Sequence, residues 1–231
     1  AFCNDVIQSN LDYFGIRNLQ PISDLEQVEL IQTLIDGFAE DHPLRRLTGN
    51  RYYEGSRLSS LFDVMKKEGW TPDFIKERVA EYLESLPERE GFQYKRAYTD
   101  KKTGKKYVKG DAKESKINSE VESFSNLVAC ANEFENFEKI MEKTMRYDYE
   151  DMILWVLDKF TNNNDLLLKY QERYEFFLVD EYQDTNGSQN KLIYQLANYW
   201  EQPNLFVVGD DDQSIFRFQG ANMSNIVDFK N

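Results

Sequence analysis

Two short runs of wholly apolar residues, Phe176-Phe177-Leu178-Val179 and Leu205-Phe206-Val207-Val208, each end abruptly in acid. The first runs into Asp180-Glu181 and the second into Gly209-Asp210-Asp211-Asp212. Apolar runs without alternation suit strands buried on both faces of a parallel sheet. Between them lies a polar-capped stretch with Leu192, Ile193, Leu196 and Ala197 at helical spacing. Strand, crossover helix and strand make a right-handed βαβ unit. In open α/β sheets ligands bind beyond the carboxyl ends of the strands, where both acidic clusters fall.

The chain ahead of these runs reads as mostly helical. Ser23 with Glu26 forms a capping box, and Leu25, Val28, Ile31, Leu34, Ile35 and Phe38 follow at helical spacing. Thr71-Pro72 starts another helix, with Ile75, Val79, Tyr82, Leu83 and Leu86 on one face. Ser119 with Glu122 reads as a further box, opening one long helix whose stripe continues through Phe134 and Phe137 to Met141. Asp148 caps a fourth helix, striped by Tyr149, Met152, Ile153, Val156, Leu157 and Phe160. The fold class expected is α/β but mostly α. The composition shifts near Tyr174, which divides the chain into a helical portion, 1–173, and a strand-bearing portion, 174–231.

Hydrophobic residues make up 41% of the 231, ample for a packed core. No apolar run approaches the roughly 18–20 residues of a membrane span, and no signal peptide is visible. Cys3 and Cys130 are too few for a disulfide framework, and the one histidine, His42, excludes a His-pair zinc site. A cytoplasmic, reducing compartment is the default expectation.

A net charge of −13 argues against a nucleic-acid binder taken alone, but it is unevenly spread. Between Phe92 and Lys116 nine basic residues face three acids, so that segment is +6 and the remainder −19. Local charge steers ligands more than the total does. Phe92, Tyr94 and Tyr98 suggest a strand, Lys105 to Val108 its partner, and Asp100 to Gly104 the turn. A basic β-hairpin is expected, the alternative being a solvated loop.

Two adjacent carboxylates at a strand end suit phosphate-ester chemistry. One can hold Mg²⁺, and its neighbour can accept a proton from attacking water. Strand-end acids also cap helices, and the residue types alone leave that reading open. The whole strings say more. Asp180-Glu181-Tyr182-Gln183-Asp184-Thr185-Asn186 closely resembles motif II of UvrD/Rep/PcrA-type superfamily 1 DNA helicases, and Val208-Gly209-Asp210-Asp211-Asp212-Gln213-Ser214-Ile215 with Gly220-Ala221 resembles their motif III. Weaker likenesses lie at Tyr147 to Ile153 and Leu19 to Leu30. The resemblance implies an inserted helical domain (1B) followed by the later part of a RecA-like P-loop NTPase domain (1A).

The roles it implies are specific. Asp180 would coordinate the Mg²⁺ of Mg-ATP, Glu181 would be the general base, and Gln213 would contact the γ-phosphate. Phe216 and Phe218 stand where the family stacks aromatics on single-stranded bases, core packing being the alternative. Gln219 stands where the family commonly has Arg. Lys101, Lys102, Lys105 and Lys106 would touch DNA phosphates. The implied partners are ATP, single-stranded DNA or a duplex junction, and the remaining helicase domains of the same protein.

No G-x-x-x-x-G-K-[ST] string occurs, so no loop is present to cradle the phosphates. The expectation is a helicase piece that is inactive alone, lacking that loop and the second motor domain. A DNA-binding module without ATP turnover is the alternative. A regulatory protein with a decayed motor fold is a third reading, disfavoured by the intact Asp180-Glu181 pair and Gln213.

Overall fold

The structure is a computed structural model that describes residues 1–15, 18–99 and 104–210. Ten α-helices occur among them: α1 (Phe2–Gln8), α2 (Leu11–Phe14), α3 (Asp24–Asp36), α4 (Gly55–Glu68), α5 (Pro72–Ser85), α6 (Glu114–Asn132), α7 (Phe134–Lys143), α8 (Tyr149–Asn162), α9 (Asn164–Arg173) and α10 (Gly187–Ala197). Six short strands are β1 (Gln20–Pro21), β2 (Tyr98–Thr99), β3 (Lys106–Tyr107), β4 (Arg146–Tyr147), β5 (Phe177–Val179) and β6 (Leu205–Val207). They pair as parallel β1–β4, antiparallel β2–β3 and parallel β5–β6. The chain is therefore mostly helical α/β. Among the described residues no helix is long and apolar enough to cross a membrane.

Local capping chemistry accounts for several helix starts. Ser23 and Glu26 form their box at α3, Thr71 caps α5 ahead of Pro72, and Asp148 with Asp151 boxes α8. Glu26 does double duty. The Ser23 backbone amide and hydroxyl, then the Arg146 guanidinium, hold its carboxyl down at about 2. The Arg146 contact, at 2.8 Å, ties the start of α3 to β4.

Other expectations need correction. α6 starts at Glu114, so Ser119 and Glu122 lie inside it and cap nothing. The single long helix is two, parted at Glu133, whose carboxylate meets His42 at 3.1 Å while the His42 ring stacks on Phe38. Phe92 closes a 3-10 turn and is buried instead of opening a strand. Leu25, Val28 and Tyr149 keep the helical period but are exposed.

Two cores result. The first gathers α3, α4, α5, α6 and α7 around Ile35, Leu58, Phe62, Met65, Ala131 and Phe137. The second gathers α1, α8, α9 and α10 around Val6, Val156, Phe160, Leu166 and Tyr170, with Phe177 of β5 against it. Among the described residues the sheet β5–β6 is thus covered on one face. Leu178 is 78% exposed and Phe206 63%, where burial on both faces was expected. The helices pack beneath Phe177 and Val179, and among the described residues nothing lies over the alternate positions.

Lys66 joins the two halves. It is buried on α4, yet its ammonium lies 2.6 Å from Asp151, 2.8 Å from Asp148 and 2.9 Å from Glu138. Burial alone would lower its pKa, but Asp151, Glu138 and Asp148 outweigh that and hold it above the usual lysine range. Three carboxylates share one ammonium, so the cluster keeps a proton readily. Burial pushes the Asp151 carboxyl up to about 7.

The C-terminal carbonyls of α4, which have no partners inside the helix, are capped across the chain. Ser188 Oγ donates to the Lys66 carbonyl at 2.8 Å and Lys191 Nζ to the Glu68 carbonyl at 3.0 Å. Gly69, at φ +61°, turns the chain away in the left-handed C-cap that a helix end of this kind needs.

Lys66→Met should leave three carboxylates without their cation and cost about 3–5 kcal/mol in urea denaturation. Asp151 holds its proton when folded at pH values where the unfolded chain, with an ordinary value of 3.8, has lost it. Its contribution is therefore full below about 4 and is lost as pH rises through about 7. Asp151→Asn should flatten the dependence of stability on pH across that window. An unchanged slope would remove Asp151 as its source.

Candidate active site at the ends of two parallel strands

β5 and β6 run side by side in register, Phe177 beside Leu205, Leu178 beside Phe206 and Val179 beside Val207. Both acidic clusters therefore leave the sheet at the same edge. The ladder continues past the strands: Val208 N–H donates to the Val179 carbonyl at 2.8 Å and Tyr182 N–H to the Val208 carbonyl at 2.9 Å. Asp180 and Glu181 sit between those two bonds on an otherwise fixed backbone.

Glu181 adopts φ +50°, ψ +44°, a left-handed conformation that a non-glycine residue seldom occupies. It starts a 3-10 turn, Tyr182–Asp184, that re-aims the chain toward α10. Such backbone costs of order 1–3 kcal/mol and persists only where the surroundings hold it. The surroundings do so here. Tyr182 is buried, its hydroxyl donates to Asn190 Oδ1 at 2.6 Å, and Thr185 Oγ1 donates to the Tyr182 carbonyl at 2.7 Å. Asn186 and Gln189 then box the start of α10.

Both carboxylates are exposed. Asp180 Oδ1 accepts the Glu181 backbone N–H at 2.9 Å. Glu181 Oε2 accepts a short hydrogen bond from Gln183 Nε2. The other end of that amide, Gln183 Oε1, accepts the Asp210 backbone N–H at 3.0 Å. A carboxylate only accepts and an N–H only donates, so these two partners fix which way the amide points. Gln183 is 3% exposed and pins the end of β5 to the end of β6. A Cβ added at Gly209 would lie 2.6 Å from Gln183 Oε1, and 3.3 Å from the backbone nitrogens of Tyr182 and Gln183.

Of the residues singled out in the sequence, Asp180 and Glu181 come together with Asp210 at one sheet edge. Gln213, Phe216, Phe218, Lys101 and Lys102 lie outside the described residues. Lys106 belongs to the separate β2–β3 ladder and Lys105 immediately precedes it. Gln183 was overlooked. Its one available signal was its place two residues past Glu181 inside the resembling string. Among the described residues no cluster of three or more His, Cys, Asp or Glu could hold a metal by itself. Mg²⁺ asks for less: it keeps several waters and takes one or two carboxylates plus phosphate oxygens. An exposed Asp180 carboxylate on a fixed strand end fits that demand.

A family model for the UvrD/REP helicase N-terminal domain matches residues 1–231. The chain belongs to that family. Among curated proteins, the ATP-dependent DNA helicase PcrA of Leuconostoc citreum is 42% identical over 90 residues, 39% of this chain and 12% of that protein. PcrA of Bacillus subtilis (strain 168) is 39% identical over 97 residues, 42% of this chain and 13% of its own. The ATP-dependent DNA helicase Rep of Buchnera aphidicola subsp. Acyrthosiphon pisum is 40% identical over 93 residues, 40% of this chain and 14% of its own. The UvrD/REP-family chain thus matches 12–14% of the length of these relatives.

Gly209→Ala should displace the Gln183 amide and cost about 1–3 kcal/mol, the usual range for overpacking a closed site. Combined with Gln183→Ala, the loss should be smaller than the sum of the two single losses, since the obstacle is then gone. Additive losses in urea denaturation would show that the two residues are not in conflict.

Proposed function

We propose that this chain is part of an ATP-dependent DNA helicase, a motor that moves on single-stranded DNA and separates duplex at the expense of Mg-ATP. The observation that carries the reading is the parallel β5–β6 pair, which delivers Asp180, Glu181 and Asp210 to one edge within a UvrD/REP-family chain. Its relatives bear the names of ATP-dependent DNA helicases. Residues 174–231 serve as the later portion of the motor domain and residues 1–173 as the helical domain inserted in it. Packing runs across that division, since α1, α8 and α9 share a core with α10.

In this reading Asp180 holds Mg²⁺, directly or through water, and the ion supplies counter-charge for the phosphates. Glu181 takes the proton from the attacking water. Its left-handed backbone and its bond from Gln183 hold the carboxylate ready before any substrate arrives. Gln213 contacts the γ-phosphate, and Phe216 and Phe218 stack on bases. Gln183 bonds to both Glu181 and the Asp210 amide, so one side chain links the general base to the end of β6.

In the complete protein Glu181→Gln should abolish ATP hydrolysis while sparing nucleotide binding, read by phosphate release against nucleotide affinity. The 231-residue chain by itself should hydrolyse no ATP, because it contains no G-x-x-x-x-G-K-[ST] loop. Steady turnover by this chain, or by the Gln variant of the complete protein, would reject the assignment.

A second reading, a DNA-contacting module without turnover of its own, is favoured by the +6 segment. Changing Lys101, Lys102, Lys105 and Lys106 together to Glu should weaken DNA binding and flatten its dependence on salt. An unchanged salt slope would exclude these lysines as phosphate contacts.

A further inference from the structure

We infer that Tyr94, Tyr98 and Tyr107 form a base-stacking platform for single-stranded DNA on the basic segment. The inference rests on the proposed DNA-binding role and names the chemistry by which this segment would read a strand. The three rings lie nearly parallel, tilted by only 12–24° from one another, with centroids 4.5, 5.7 and 6.3 Å apart. At 4.5 Å the Tyr94 and Tyr107 rings cover part of each other's faces, so the exposed Tyr98 ring is the surface on which a base would stack.

The backbone sets this arrangement. Tyr98 and Tyr107 are direct partners across the antiparallel β2–β3 ladder, which places their side chains on one face. Tyr94 is brought beside them by its own pair of main-chain bonds, donating to the Asp111 carbonyl at 2.9 Å and accepting from Gly110 at 3.0 Å.

The patch belongs to neither hydrophobic core. Tyr98 is 48% exposed, and the ladder beneath it is two residues long on each side. Cations rim the rings. Lys113 Nζ lies 5.8 Å from the Tyr94 centroid, and Lys105 Nζ lies 5.3 Å from that of Tyr107 while also pairing with Glu114 at 3.1 Å.

Flat π-faces rimmed by ammonium groups match the two repeating features of a single strand, unpaired bases and phosphates. A duplex offers its phosphates but hides its base faces. The rest of the protein carries −19 and repels a polyanion, so contact is steered to this segment.

The test uses the 231-residue chain and fluorescein-labelled 20-mers read by anisotropy: oligo-dT, an abasic oligomer with the same phosphates, and a duplex. Oligo-dT should bind at least about fivefold more tightly than the abasic strand, the low end of what one stacked base contributes. Tyr98→Ala should remove that preference while leaving abasic binding and the salt slope unchanged. Tyr98→Phe, which keeps the face of the ring, should retain it. Equal binding of oligo-dT and abasic strand by the unmodified chain would overturn the stacking alone, with the lysine reading intact. A duplex bound as tightly as oligo-dT would overturn it too, as would equal losses for both strands in Tyr98→Ala. Failure to bind any of the three would reject both the stacking and the DNA-binding role of the segment.

Discussion

A single buried ammonium governs how this chain can be assembled. Lys66 carries its charge into the interior on α4, and a lone ammonium there would be prohibitively costly. It is tolerated because three carboxylates converge on it: Glu138 from α7, Asp148 from the turn after β4, and Asp151 from α8. Each must arrive within hydrogen-bonding distance, so α4 has little freedom to slide or rotate against α7 and α8. A wholly apolar seam at the same place would allow several registers of nearly equal energy. The two acids of α8 are also its capping box, so the network that fixes α4 fixes the start of α8 as well.

The consequences reach the strand ends through α4's own terminus. With Lys66 held, the Lys66 and Glu68 carbonyls face Ser188 and Lys191 at the start of α10. The Glu68 carboxylate stands where a Cβ on Gly187 would go, at the electropositive first turn of α10. Two residues separate that helix from the 3-10 turn that carries Gln183 and Tyr182. The backbone of Glu181 is thus bounded on one side by the ladder to β6 and on the other by a helix anchored to α4. An unusual left-handed residue survives because both its neighbours are committed elsewhere.

Much of this was legible in the sequence where the signal is local. Caps at Ser23, Thr71 and Asp148 depend on a few neighbouring residues, and the βαβ unit is written in two apolar runs with a periodic stretch between. Ser119 misled because a serine three residues before a glutamate reads the same inside a helix as at its start. At the break Glu133 meets His42, a partner 91 residues away that no local pattern announces. Lys66 and Lys67 are adjacent lysines, and only the packed structure separates the buried one from its half-exposed neighbour. Leu178 and Phe206 read as interior residues because apolar character says nothing about whether a second layer is present. Gln183 was passed over in favour of Gln213 because a chain of residues does not announce that an amide two positions past a carboxylate will turn back to hold it.

The charges at the sheet edge and on the β2–β3 ladder describe opposite demands on one acidic chain. Among the described residues neither Asp180 nor Glu181 is paired with a lysine or arginine. Two solvent-facing carboxylates on a fixed backbone repel a polyphosphate, so nucleotide chemistry there requires a cation to lie between them and the phosphates. The basic segment needs no such intermediary. Its ammonium groups already carry the sign that attracts a polyanion, although Lys95 and Lys105 are shared with Glu90 and Glu114. The geometry of the first place is held through Lys66 and the cap of α4 on α10. Binding at the second depends on ionic strength and on a ladder of two residues per strand.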